Sequence, residues 1–187
     1  MRRATLLSLF FLITHAAIFC GQAHAQRIGL SNLVIDNQEG RIKIRFGVDI
    51  KAVDAVKEAL SKGQVLALEC KASLALKRDY TWNTDVAQKE VLSRLVLYDR
   101  GPYEIILPDG RQEHYRGQNL EVLMKEAWGS MILDLGAWSK LTRGDAYSLT
   151  LEIRLVRQNV SSWLKGALFF WNFDAIAPVK YQLDFSY

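Results

Sequence analysis

Strict alternation of apolar and polar residues is the feature that most limits what this 187-residue chain can fold into. An alternating segment forms a strand that buries one face and leaves the other in water. Four segments show this period of two: residues 41–50, 64–77, 146–155 and 179–187. Shorter apolar runs lie between them, and Pro108-Asp109-Gly110 is typical of a β-hairpin turn. The sequence therefore predicts antiparallel sheets packed face to face.

Two further segments follow the helical spacing of i, i+3 and i+4: residues 53–60 and 119–128. Asp49 is placed to cap the first helix and Asn119 to cap the second, and a glycine follows each helix. We therefore predict a mainly β (α+β) fold. It is a single-domain antiparallel β-sandwich of eight or nine strands with two short helices.

The first 25 residues have the three parts of a secretory signal peptide. Arg2 and Arg3 precede an apolar run over residues 6–19, and the small residues of Ala23-His24-Ala25 precede Gln26. We therefore predict a cleaved signal peptide over residues 1–25, a periplasmic domain over residues 26–187, and possible association with a membrane. The alternatives are a retained anchor helix and a lipoprotein anchored at Cys20.

Composition beyond residue 25 excludes several classes of function. Without Arg2 and Arg3, 22 basic residues face 20 acids, and a net charge of +2 is too small for a nucleic-acid-binding face. Cys70 and His114 are the only cysteine and histidine there, so an internal disulfide and a histidine-rich metal site are excluded. No later apolar run reaches transmembrane length.

The sequence assembles no catalytic site. It contains neither a G-x-x-x-x-G-K-[ST] phosphate loop nor a G-x-S-x-G nucleophile motif. Cys70 shares a strand face with leucines, which favours a buried hydrophobe over a reactive thiol. His114 lies among charged neighbours, which favours an exposed side chain over a catalytic or pH-sensing one. The basic face of residues 41–45 indicates solvation more than an anionic ligand. We predict no enzymatic activity and no cofactor.

Residues 163–173 concentrate five aromatic side chains around a single charge. They either complete the core, which aromatic residues usually do, or form a surface for a partner or a membrane. Five residues are the candidates for such a contact: Trp163, Lys165, Phe169, Phe170 and Trp171.

Three patches resemble the bacterial family known as domain of unknown function 4390. They are residues 58–63 leading into Val65, residues 97–100 leading to Tyr103, and residues 163–171 followed by residues 181–185. The resemblance extends over nearly the whole chain after residue 25. It implies a small exported protein and transfers no functional residue to any position.

We therefore predict a non-catalytic interaction module of the cell envelope, with a membrane protein or the membrane surface as its partner. The alternative is a periplasmic carrier or sensor that binds a small apolar ligand within the sandwich. Two further alternatives are an outer-membrane barrel, suggested by the alternation in residues 181–187, and an enzyme built on a pair of carboxylates.

Overall fold

The computed structural model describes residues 27–99, 101–108, 113–158 and 174–187, and the side chains of the last range from Ile176 onward. The predicted signal peptide lies outside these residues. The described strands are β1 (Ile28–Gln38), β2 (Arg41–Ile50), β3 (Leu66–Leu76), β4 (Thr84–Leu97), β5 (Tyr103–Ile106), β6 (His114–Gly117), β7 (Met131–Ala137), β8 (Ala146–Arg157) and β9 (Asp174–Ser186). The helices are α1 (Val53–Ser61) and α2 (Leu120–Trp128), and a single 3₁₀ turn (Trp138–Lys140) follows β7.

The strands form two antiparallel sheets. The smaller has the order β1-β2-β7, and the larger has the order β6-β5-β4-β3-β8-β9. Every neighbouring pair in both sheets is antiparallel. The predicted mainly β sandwich with two short helices is confirmed.

The alternating residues supply the core between the sheets. In β2 the side chains of Ile42, Ile44 and Phe46 are buried, whereas the intervening Arg41 and Arg45 are exposed. The larger sheet faces them with the buried side chains of β3 and β8: Leu66, Leu68, Cys70, Ala72, Leu74, Tyr147, Leu149, Leu151, Ile153 and Leu155. One apolar face from each sheet is thereby removed from water, which is the main stabilising contribution in a sandwich.

Helix α2 covers the part of the larger sheet that the smaller sheet does not reach. It contacts β2, β5 and β6. Its buried Trp128 donates a hydrogen bond from Nε1 to Ser93 Oγ at 2.8 Å, and Ser93 donates onward to the backbone oxygen of Ile106 at 3.2 Å. The helix packs on β6 through Leu123, whose Cδ1 would be in ordinary van der Waals contact, at 3.6 Å, with a Cβ added at Gly117.

The two helices begin in different ways. The Asn119 side chain accepts hydrogen bonds from the backbone N–H groups of Glu121 and Val122, at 3.1 and 3.2 Å, so the predicted cap is confirmed. The predicted cap at Asp49 is wrong. Asp49 lies in β2, and α1 begins after Ala52, which has no side-chain oxygen to offer the first turn.

The outer face of the smaller sheet is an ion-paired surface. Arg41 and Lys43 both donate to the Asp134 carboxylate on β7, and Arg45 pairs with Asp36 at 2.6 Å. Hydrogen bonds from Arg41, and then from Lys43, hold the pKa of Asp134 well below its usual range. The three cations thus pair with two carboxylates on neighbouring strands, as a solvated face predicts.

Candidate functional site

The aromatic stretch, residues 163–173, contains the five predicted contact residues, and all five lie outside the described residues. The described chain leaves β8 at Gln158, whose N–H donates to the Val65 oxygen at 2.9 Å, and re-enters at the start of β9. That end of the larger sheet is the one at which β3 begins. The assignment of a contact to Trp163, Lys165, Phe169, Phe170 and Trp171 therefore stays a prediction.

Cys70 is buried in the middle of β3, as the alternation predicts. Burial, with a smaller effect of the neighbouring Glu69 carboxylate, raises the pKa of its thiol to about 12. The thiolate needed for nucleophilic or redox chemistry is therefore not formed at physiological pH.

A surface that sequence reasoning missed is the aromatic loop, residues 77–83, which joins β3 to β4. The last pair of the two strands is Leu76 with Thr84, so all seven loop residues lie beyond the paired strands. Tyr80 is 98% exposed and Trp82 is 94% exposed. Large aromatic side chains usually bury most of their area, so two almost completely exposed rings on one short loop indicate a contact surface.

Hydrogen bonds brace the base of the aromatic loop. The Lys77 N–H donates to the Ala146 oxygen at 2.8 Å. The Arg78 N–H donates to Asn83 Oδ1 at 3.4 Å, and Arg78 Nε donates to Thr84 Oγ1 at 3.1 Å. The chain on both sides of the rings is thereby tied together, while the rings themselves point away from the core.

The aromatic loop carries little net charge. Lys77 and Arg78 are its two cations and Asp79 is its single acid. Lys77 is paired with Asp184 of β9 at 2.7 Å, and this bond, with one from Gln182, holds the pKa of Asp184 well below its usual range. Counted with Asp184, the two cations of the loop face two acids, so this surface presents two aromatic rings and no formal net charge.

Further aromatic side chains lie at the same end of the sandwich. Ala146, which bonds to Lys77, pairs with Ser186, so the end of β9 adjoins the base of the loop. Beyond it, the rings of Trp138 and Tyr187 meet edge to face with centroids 5.4 Å apart. The aromatic loop is therefore the exposed tip of a partly aromatic end.

A polar cluster lies on the outer face of the larger sheet, near the end of β4 that is remote from the aromatic loop. Glu104 of β5 has a side chain only 2% exposed, although it is an acid on a sheet face turned away from the core. Its Oε1 accepts a hydrogen bond from Arg116 Nε at 2.7 Å and another from His114 Nδ1 at 3.0 Å. Bonds from His114, then from Arg116 and Tyr98, lower the pKa of Glu104 although burial opposes them. The carboxylate therefore stays ionised and fixes His114.

The His114 side chain is 44% exposed, as the sequence favours. Its contact with the buried Glu104 was not predicted. Glu104 stands alone in an otherwise apolar run over residues 103–107, and this was the available signal. For the aromatic loop the signal was Tyr80 and Trp82 two positions apart in a segment with no apolar periodicity.

Neither surface has the composition of a metal centre. Within the described ranges, no three side chains of His, Cys, Asp or Glu lie close enough together to hold a metal ion. Among the same residues, no helix has the length and apolar character required to cross a bilayer.

A known protein family matches the chain. The family described as "Domain of unknown function (DUF4390)" matches residues 25–183, which is most of the chain. Neither a curated protein nor a solved structure matches.

Proposed function

The chain belongs to the DUF4390 family, and on that premise we propose that it is a non-catalytic interaction module of the bacterial cell envelope. It is exported by its signal peptide to the periplasm and attaches peripherally to a membrane surface through the aromatic loop. The observation that carries the proposal is the almost complete exposure of Tyr80 and Trp82 on a loop with a braced base.

The size of the surface favours a membrane over a protein partner. Two aromatic side chains offer about 150–250 Å² each, or roughly 300–500 Å² together. A stable protein interface needs about 800 Å² from each partner. A membrane surface needs less, because a few amphipathic rings can enter the boundary between headgroups and acyl chains. Tyr and Trp have both an apolar body and a polar tip, which suits that boundary.

The apolar-ligand carrier remains the alternative, although no specific contact among the described residues favours it. The candidate residues of the aromatic stretch would add to a membrane contact if they are exposed. The proposal does not depend on them, since the aromatic loop is sufficient by itself for a weak peripheral contact.

The near-neutral loop makes a specific prediction about lipid charge and salt. The protein should float with zwitterionic phosphatidylcholine vesicles about as well as with vesicles that contain anionic lipid, and 0.5 M salt should change the bound fraction less than about twofold. Vesicle flotation of the mature chain, residues 26–187, measures this directly. Failure to bind either kind of vesicle would refute the proposal. Binding only to anionic vesicles at low salt would show that a basic surface makes the contact in place of the aromatic loop.

A further inference from the structure

The outer face of β4, β5 and β6 holds a depression that the membrane contact does not use. Its volume is about 340 Å³, and its lining residues are Leu92, Arg94, Ile106, Leu107, Pro108 and His114. A basic side chain and an imidazole are thus combined with an apolar floor. This composition suits an amphipathic ligand that carries one anionic group.

The register of the sheet places the two polar lining residues on opposite sides of that floor. Arg94 pairs with Ile106, and Ile106 pairs with His114, so the three residues form one row across three strands. Neighbouring strands are about 4.8 Å apart, which sets the Cα atoms of Arg94 and His114 roughly 10 Å apart. Both side chains can therefore reach an anionic group seated above Ile106.

Glu104 prepares His114 for such a contact. Because an ionised carboxylate can only accept a hydrogen bond, the proton on this side belongs to His114 Nδ1, at 3.0 Å from Glu104 Oε1. The imidazole is thereby held in a fixed orientation, and in its doubly protonated form Nε2–H is left to donate to an anionic ligand. The same use of a carboxylate to orient a histidine is common at binding sites.

The charges around the depression favour an anion. Within the described chain, Arg94 has no ion-pair partner, whereas the Glu104 charge is balanced by Arg116 at 2.7 Å. On the adjoining strand, Glu69 is already paired with Arg154 at 2.6 Å. An arginine guanidinium matches the planar or tetrahedral oxygens of a carboxylate or phosphate.

We infer that this depression binds the oxyanion, a phosphate or carboxylate, of a small soluble ligand that also carries an apolar group. Arg94 and His114 hold the oxyanion, and Leu92, Ile106 and Pro108 contact the apolar part. Arg94 lies ten positions along β4 from Thr84 at the base of the aromatic loop, which is about 30 Å of extended strand. A membrane lying across that loop leaves the depression in water. The inference that the ligand is a soluble molecule and not a lipid rests on the proposed membrane contact. The inference that it carries an oxyanion does not depend on that contact.

Titration of the ¹⁵N-labelled chain with hexyl phosphate, inorganic phosphate and hexanol tests the inference. Hexyl phosphate should bind about tenfold tighter than inorganic phosphate, because it places methylene groups on the apolar floor. Hexanol, which has no charge, should not bind measurably. The shifted amide resonances should be those of β4, β5 and β6.

Three variants separate the site from a general attraction for anions. Arg94→Gln and His114→Gln should each weaken hexyl phosphate binding about tenfold or more. Lys180→Gln should leave it unchanged, since Lys180 is an exposed cation on β9 at the opposite edge of the same sheet. Arg94→Gln should fold normally because it removes no ion pair that the described residues make, so it remains informative if His114→Gln disturbs Glu104.

Absence of binding at millimolar hexyl phosphate would overturn the inference, as would equal affinity of the wild type and Arg94→Gln. A parallel arm uses vesicles containing phosphatidic acid. If Arg94→Gln abolished vesicle binding while hexyl phosphate failed to bind the wild type, the site would be one for a lipid headgroup, and the soluble-ligand inference would be wrong. Loss of vesicle binding on replacement of Tyr80 and Trp82, with hexyl phosphate binding retained, would support the membrane contact and this site independently.

Discussion

Replacing Tyr80 and Trp82 together by serine should lower vesicle partitioning by about 30-fold or more. An aromatic side chain that leaves water for the interfacial region contributes about 1–2 kcal/mol, less than the value for complete burial. Two of them contribute about 2–4 kcal/mol, and each 1.4 kcal/mol corresponds to a factor of ten. Flotation with phosphatidylcholine vesicles measures the change.

The same double variant should fold as the wild type does. Both rings are almost fully exposed, so their removal leaves no cavity. The free energy of unfolding should therefore change by less than about 0.5 kcal/mol. The matched control is Val122→Ser with Ile132→Thr, which removes two half-exposed apolar side chains from α2 and β7. If this control lost vesicle binding as fully as the loop variant, general surface hydrophobicity would explain the binding and the aromatic loop would not.

Trp128→Ala should lower the free energy of unfolding by about 3–5 kcal/mol, the usual cost of removing a buried aromatic side chain. Trp128 is completely buried and is the largest such side chain in the described core. Its loss leaves a cavity under α2 and removes the hydrogen bond to Ser93 Oγ. Since single domains are stable by only about 5–15 kcal/mol, the variant should be close to unfolding at ambient temperature. Urea denaturation followed by circular dichroism measures the change.

Trp128→Phe separates the two contributions. It retains most of the ring volume but gives Ser93 no donor, so the loss should be about 1–3 kcal/mol. An alanine variant that lost less than about 1 kcal/mol would contradict the described packing, because α2 would then not be needed to cover β5 and β6.

Local sequence patterns predicted the elements of this fold because burial acts on each strand separately. The alternation of β2, β3 and β8 follows from having one face against the core, and the structure buries the expected side chains. The Asn119 cap was predictable for the same reason, since a cap depends on the next three residues. The pairing of β2 with β7 was not predictable, because it joins residues about ninety positions apart, such as Lys43 and Asp134.

The alternation of β4 is blurred, and its outer face marks the second site. Arg94 on that face is exposed. Leu92 and Val96, on the same face, are only half-buried, and Leu92 lines the depression beside Arg94. Apolar residues on an outer face were thus the local sign of a surface for a ligand. Glu104 and His114 meet only through the pairing of β5 with β6, so their contact could not be read from either segment alone.

The two aromatic segments of the chain differ in how far the sequence alone can identify a contact surface. Residues 163–173 stand out by density of aromatic residues, which cannot distinguish core from surface. The exposure of Tyr80 and Trp82 is seen only in three dimensions, because it depends on where the β3–β4 pairing stops. The structure thus shows exposed rings on the short connection between β3 and β4, where the density of aromatic residues is lower.

The most direct test of the membrane contact is ¹⁹F NMR of the mature chain labelled with 5-fluorotryptophan and bound to phosphatidylcholine nanodiscs that contain a spin-labelled lipid. The chain has five tryptophans, and single phenylalanine replacements assign their resonances. We expect the Trp82 resonance to broaden most, and that of the buried Trp128 to stay sharp as an internal control. A sharp Trp82 resonance in the bound protein, with broadening at Trp163 or Trp171, would contradict the aromatic loop as the contact and assign it to residues 163–171.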